Sequence, residues 1–228
     1  MSFKGILLDI DNTLYDYEAC HRPAVKAVID GVSKRCNLNL EKIGDAYVEA
    51  RKQIHRELSG TASSHNRLLY FQRMYEILHK NSMEFALESY EEYWEVFLKN
   101  LSLYPGVSTF LEDVKDRKIC FVSDLTAHIQ HRKIRLMGLS RYIAFLVTSE
   151  EAGREKPDPS IFQLALKKLG LDAHDVCMIG DNYAKDILGA TSLGIRSFWL
   201  TRDAPTESLH KLVTRVESFE ELKRHFHD

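Results

Sequence analysis

The chain has 228 residues, 44% of them from the AVILMFWYC set and 28% charged, usage that excludes a disordered or low-complexity chain and allows one domain with a large insertion. Its 31 basic and 33 acidic residues leave a formal charge of -2, which gives no electrostatic ground for a nucleic acid polymer as partner but leaves a small charged ligand open. No apolar run approaches the ~18 residues of a membrane span and MSFKGILLDIDN is too short an apolar stretch for a signal peptide, so a cytoplasmic protein without a membrane partner is expected.

Phe3–Leu8 is a short apolar run without helical periodicity, which predicts a buried strand that runs into Asp9-Ile10-Asp11-Asn12-Thr13. From about Tyr17 to Leu101 the pattern changes to four successive helical stretches, with a turn-like SGTASSHN segment at Ser59–Asn66 between the second and third. This predicts an all-α insertion over residues 16–101, joined at hinges near Leu14–Asp16 and Leu101–Pro105. In it Tyr15, Tyr17, His21 and Arg22 follow the first hinge and are placed either to face a substrate or to pack as core and surface.

After Pro105-Gly106, helices over Val107–Arg117, Ala127–Met137, Pro159–Leu169 and Ala184–Leu193 alternate with apolar strands over Lys118–Val122, Ala144–Thr148, Val176–Ile179 and Ser197–Leu200. Gly138, Gly170 and Gly194 supply stop signals after three of these helices. The rhythm predicts the α/β class: a doubly wound, mainly parallel, five-stranded Rossmann-like core formed by residues 1–15 and 102–228. Within Ala127–Met137 the basic run from His128 to Arg135 has Ile129 and Ile134 interleaved and reads as a solvated helix face. Cys20, Cys36, Cys120 and Cys177 show no metal-finger spacing and are expected to be reduced and structural.

Ligands of open parallel sheets bind beyond the carboxyl ends of the strands, and the polar residues predicted there converge. Strand one delivers Asp9 and Asp11, strand two Ser123-Asp124, the loop after strand three Lys156, and strand four Asp181. Carboxylates, a hydroxyl and an ammonium at one edge suit phosphoryl transfer, where catalysis is mostly positioning and charge neutralisation. A carboxylate approaching a phosphate dianion meets repulsion of about 4 kcal/mol per charge pair at 4 Å, so a lysine and Mg²⁺, which takes hard oxygen ligands, are needed to offset it.

DIDNT at Asp9–Thr13, FVSD at Phe121–Asp124, EKPDPSIF at Glu155–Phe162 and GDNYAKD at Gly180–Asp186 resemble, in order and spacing, the four motifs of the haloacid dehalogenase-like hydrolase superfamily. The helical insertion is similar to the C1-type cap of its subfamily I, and the tail from LVTSEEAG onward most resembles the pyrimidine 5'-nucleotidase and N-acylneuraminate-9-phosphatase group. The resemblance implies a Mg²⁺-dependent phosphatase of a small phosphorylated metabolite, a nucleoside monophosphate or sugar phosphate, working through an aspartyl phosphate; a monomer or homodimer is expected. It implies Asp9 as nucleophile and Asp11 as general acid/base. Ser123 and Lys156 would hold the phosphoryl group, with Thr13 as further phosphate contact or support for the loop. The metal would be held by Asp9, Asp181 and the backbone carbonyl of Asp11, with Asp186 in or near its outer ring of ligands.

The second motif departs from the family's hydroxyl, Asn, Gly pattern, reading Ser123-Asp124-Leu125, which adds a negative charge near the phosphate position unless Asp124 points away. Other readings of the same fold are a sugar-phosphate mutase, a 2-haloacid dehalogenase, against which Asp11 argues, and a non-catalytic phospho-receiver, against which the insertion argues.

Overall fold

The computed structural model describes residues 3–202 and 209–226. They fall into two compact units, Met1–Asp16 with Ser102–Asp228, and Tyr17–Leu101.

The first unit is a six-stranded parallel sheet: β1 (Gly5–Leu8), β2 (Lys118–Ser123), β3 (Phe145–Thr148), β4 (Val176–Gly180), β5 (Arg196–Leu200) and β6 (Val213–Val216), in the order β3-β2-β1-β4-β5-β6. Every pairing is parallel, and Gly5 lies opposite both Lys118 and Val176. The strand order reverses direction at β1, with β2 on one side and β4 on the other, so the strand ends there open the crevice in which such sheets bind ligands. One strand more is present than the sequence suggests. VTRV of β6 is too polar, with Thr214 and Arg215 half-buried at the sheet's edge, to stand out as an apolar run.

On one face Leu7, Cys120, Val122 and Met178 pack on Ile161, Phe162, Ala165 and Leu169 of α8 (Pro159–Leu169). On the other, Phe110 of α5 (Val107–Asp113) meets Phe219 of α10 (Phe219–Lys223) and Phe226, and Phe198 closes the cluster against Phe3. Each buried phenylalanine contributes about 1.5–3 kcal/mol, and these two layers hold the sheet rigid under the strand ends. The remaining helices of this unit are α6 (Ala127–Leu136), α7 (Ser149–Ala152) and α9 (Leu188–Thr191), the last preceded by one wide π turn at Tyr183–Ile187. The cysteines are all free, and Cys20, Cys120 and Cys177 are buried.

The second unit is made of α1 (Tyr17–Cys36), α2 (Leu40–Glu57), α3 (Arg67–Ile77) and α4 (Ser82–Lys99), with a 3-10 turn at Ala62–His65. Asn39, Asn66 and Asn81 start three of these helices, each side chain accepting the backbone N–H two residues on. Helix α4 packs on both α1 and α3, burying Tyr93, Trp94 and Phe97. No helix among the described residues is long and apolar enough to cross a membrane.

Candidate active site

The loop after β1 turns sharply because Asn12 adopts a positive φ of 65°, a conformation asparagine tolerates better than most residues. The turn brings Thr13 back under Asp9. The Thr13 hydroxyl lies 2.8 Å from Asp9 Oδ2 and 3.1 Å from Asp181 Oδ1, and accepts the Asp181 N–H at 3.1 Å. Thr13 is fully buried, so its hydroxyl ties the ends of β1 and β4 together.

Lys156 reaches the same point from the loop after β3. Its Nζ donates to Asp9 Oδ1 (2.6 Å), Asp186 Oδ1 (2.7 Å) and the Val122 carbonyl (3.0 Å), and it is buried. Burial opposes its charge, but Asp186, Asp9 and Asp124 outweigh that and keep it charged well above the ordinary lysine range. Asp186 also accepts the Asn182 N–H at 3.0 Å on Oδ2. This approach requires the glycine at 180, since a Cβ there would stand 2.4 Å from Asp186 Oδ2.

Oxygens of Asp9, Asp181 and Asp186 all lie within 4.8 Å of one another. One lysine does not neutralise three carboxylates. Burial, which outweighs the attraction of Lys156, together with the charge of Asp186 pushes Asp9 up to about 7, and burial with the charge of Asp9 pushes Asp181 up to about 7 as well. A dense set of hard oxygens with surplus negative charge fits Mg²⁺.

Asp11 stands in a different environment. Its carboxylate accepts from Lys133 Nζ at 2.6 Å, from the Tyr15 hydroxyl and from Gln130 Nε2 at 3.2 Å. Burial alone would raise Asp11, but Lys133 and these hydrogen bonds outweigh it and hold the carboxyl below its ordinary range. Gln130 also donates to Ser123 Oγ at 2.5 Å, which leaves the serine's own proton to donate elsewhere.

Lys133 and Gln130 correct the reading of α6 as a solvated face. His128, His131, Arg132 and Arg135 are exposed as expected, but Lys133 and Gln130 are completely buried on the face shared with Ile129 and Ile134. Their 3-residue spacing on a helix that buries that face is the signal that could have found them. Asp124 is taken up by other partners: it accepts the backbone N–H of Lys156 at 2.8 Å and pairs with Lys185 Nζ at 2.9 Å, so it fastens the loop that carries Lys156.

A profile described as haloacid dehalogenase-like hydrolase matches residues 3–194. The chain is 34% identical over 198 residues, 85% of its length and 82% of the relative's, to a ribulose-1,5-bisphosphate 5-phosphatase of Halopiger xanaduensis. It is 34% identical over 121 residues, 47% of its length and 54% of the relative's, to a pyrimidine 5'-nucleotidase of Escherichia coli. Among solved structures, a HAD-hydrolase of Bacillus subtilis bound to magnesium superposes with a TM-score of 0.75 at 18% identity, covering 99% of both chains. The chain belongs to the haloacid dehalogenase-like hydrolases. Within them it is an enzyme of the phosphoric monoester hydrolase type.

Proposed function

We propose that the chain is a Mg²⁺-dependent phosphatase that moves the phosphoryl group of a small metabolite first to Asp9 and then to water. The observation that carries this reading is the division of labour between two aspartates two residues apart. Asp9 sits in the acidic trio with Lys156, while Asp11 is gripped by Lys133, Tyr15 and Gln130.

In the first step an Asp9 oxygen forms a bond to phosphorus as the bond to the leaving oxygen breaks, and Asp11 gives its proton to that oxygen. A phosphate ester entering the site opposes the field of Lys133 and so favours proton uptake by Asp11 beforehand. In the second step Asp11, again a carboxylate, takes a proton from water as the water oxygen bonds to phosphorus and Asp9 is released. Lys156 and the Ser123 hydroxyl bind the phosphoryl oxygens. Asp9 and Asp181, with the Asp11 carbonyl and with Asp186 close by, would hold the metal. Mg²⁺, when bound, would supply positive charge that keeps these acids ionised and offsets the negative charge of the phosphate.

The relative matched over most of the chain acts on a sugar bisphosphate, which puts small sugar phosphates ahead of nucleoside monophosphates as the substrate class. The helical unit, as a cap of the C1 kind, would choose among them, and residues 1–15 with 102–228 would carry the chemistry. Phosphate release from a panel of sugar phosphates, nucleoside monophosphates and p-nitrophenyl phosphate tests this. Turnover that disappears with chelator and returns with Mg²⁺ is expected, and full activity in excess chelator refutes it.

A further inference from the structure

The helical unit buries a cation with no acid beside it. Arg67, at the start of α3, is 6% exposed. Its guanidinium donates to the His65 carbonyl at 2.5 Å and to the Tyr17 hydroxyl, and lies 5.3–5.9 Å from the ring centroids of Tyr17, Tyr70, Tyr93 and Trp94. Burial opposes its charge, and the titratable groups that favour it are tyrosines, neutral phenols at ordinary pH rather than counter-ions. Among the described residues no carboxylate pairs with it. Ring faces lower the cost of a buried cation but do not cancel its charge.

Two donors in this cluster lack acceptors. Arg67 Nε and the Tyr47 hydroxyl are both buried without a hydrogen-bond partner, and Tyr47 joins the cluster through Phe71, whose ring packs between those of Tyr47 and Tyr93. Tyr47 is 5% exposed. Native interiors leave few such groups, and two donors of this kind beside an unneutralised guanidinium call for one species with acceptor oxygens and negative charge. The titratable neighbours do not supply it: Glu18, the acid that acts on Tyr47, is exposed and paired with Arg22 at 3.2 Å. Burial, then Arg67, Arg51 and Arg22, push His21 down to about 3, so it is neutral against the Tyr93 hydroxyl, 2.7 Å away.

We propose that this cluster is an oxyanion-binding site, taking a carboxylate or phosphate group of a small organic molecule, with Arg67 as its anchor and the Tyr47 hydroxyl as a second donor. The site lies wholly within the helical unit and does not depend on the chemistry assigned to Asp9.

The test uses the full chain labelled with 5-fluorotryptophan, whose two fluorine signals report Trp94 beside Arg67 and Trp199 in the sheet unit. Inorganic phosphate and malonate are titrated separately at constant ionic strength. The Trp94 signal should move saturably with at least one of them, and which one identifies the oxyanion. Arg67→Gln and Tyr47→Phe should each weaken binding about tenfold or more, as expected for a hydrogen bond to a charged group. A Trp94 signal unmoved by both anions, or a shift confined to Trp199, overturns the proposal. So does equal affinity in an Arg67→Gln variant that melts like the wild type. If that variant does not fold, unchanged affinity in Tyr47→Phe overturns it.

Discussion

Lys156 in the sheet unit and Arg67 in the helical unit are both buried cations, 4% and 6% exposed, and burial works against the charge of each. They are stabilised by opposite means. Lys156 is clasped by Asp9 and Asp186, in a cluster that holds more negative charge than it can balance. Arg67 is wrapped in aromatic faces and hydroxyls that leave its charge standing. A buried charge therefore says little until its surroundings are counted: the first cluster seeks a cation, the second an anion.

The most severe expected effect lies on the acidic side. Asp9→Asn removes the proposed nucleophile and should lower phosphate release by about 10⁴-fold or more. A variant within tenfold of wild type, in a phosphate-release assay, would remove Asp9 from that role.

Next comes the direct contrast of the two cations. Lys156→Met strands Asp9 and Asp186 without a counter-charge and should cost about 3–5 kcal/mol of stability in Mg²⁺-free buffer. Arg67→Met removes a charge that has no acid partner and should fall within about 1 kcal/mol of wild type. Urea unfolding of both variants measures this, and equal costs would erase the distinction between the clusters.

A smaller effect is expected at Lys133. Its charge and hydrogen bond hold the Asp11 carboxyl down, so Lys133→Met should move the acid limb of the kcat profile to higher pH. A limb that stays put would show that Asp11 does not govern it.

The smallest concerns His21. Its folded value of about 3 lies below the ordinary 6.5, so between those values the unfolded chain binds the proton and the folded chain does not. His21 therefore stabilises the fold fully above pH 6.5, and that contribution is lost as pH falls toward 3. In His21→Gln the urea midpoint should fall less steeply between pH 7 and pH 5 than in wild type. Parallel curves would remove His21 as the cause.

What the sequence made legible follows from where the signals were local. The alternation of apolar strands with glycine-terminated helices is written in short windows, and so are DIDNT and GDNYAKD, each ending a strand. Lys133 and Gln130 are not of this kind. The helix surrounds them with exposed basic residues, and only packing shows that they share the buried face with Ile129 and Ile134. Arg67 carries even less signal, since an arginine opening the amphipathic run RLLYFQRMYEI reads as surface until four rings from α1, α3 and α4 close around it. The sequence left open whether Asp124 faces the phosphate position, and its partners, the Lys156 N–H and Lys185 Nζ, show it as the acceptor that fastens the Lys156 loop, a distinction set by side-chain direction.

The tight approach at Gly180 also bears on thermostability engineering. Replacing glycine with alanine is a routine way to stiffen an unfolded chain, worth about 0.4–1 kcal/mol where the backbone permits it. At Gly180 the added methyl would collide with a carboxylate of the acidic trio, so a library that samples this codon puts the proposed active site at risk. Gly44, inside α2, is the opposite case: its Cβ would meet only Ile29 Cδ1, at 3.9 Å. Alanine there should raise the melting temperature and leave turnover alone, and it is the glycine at which such a campaign should begin.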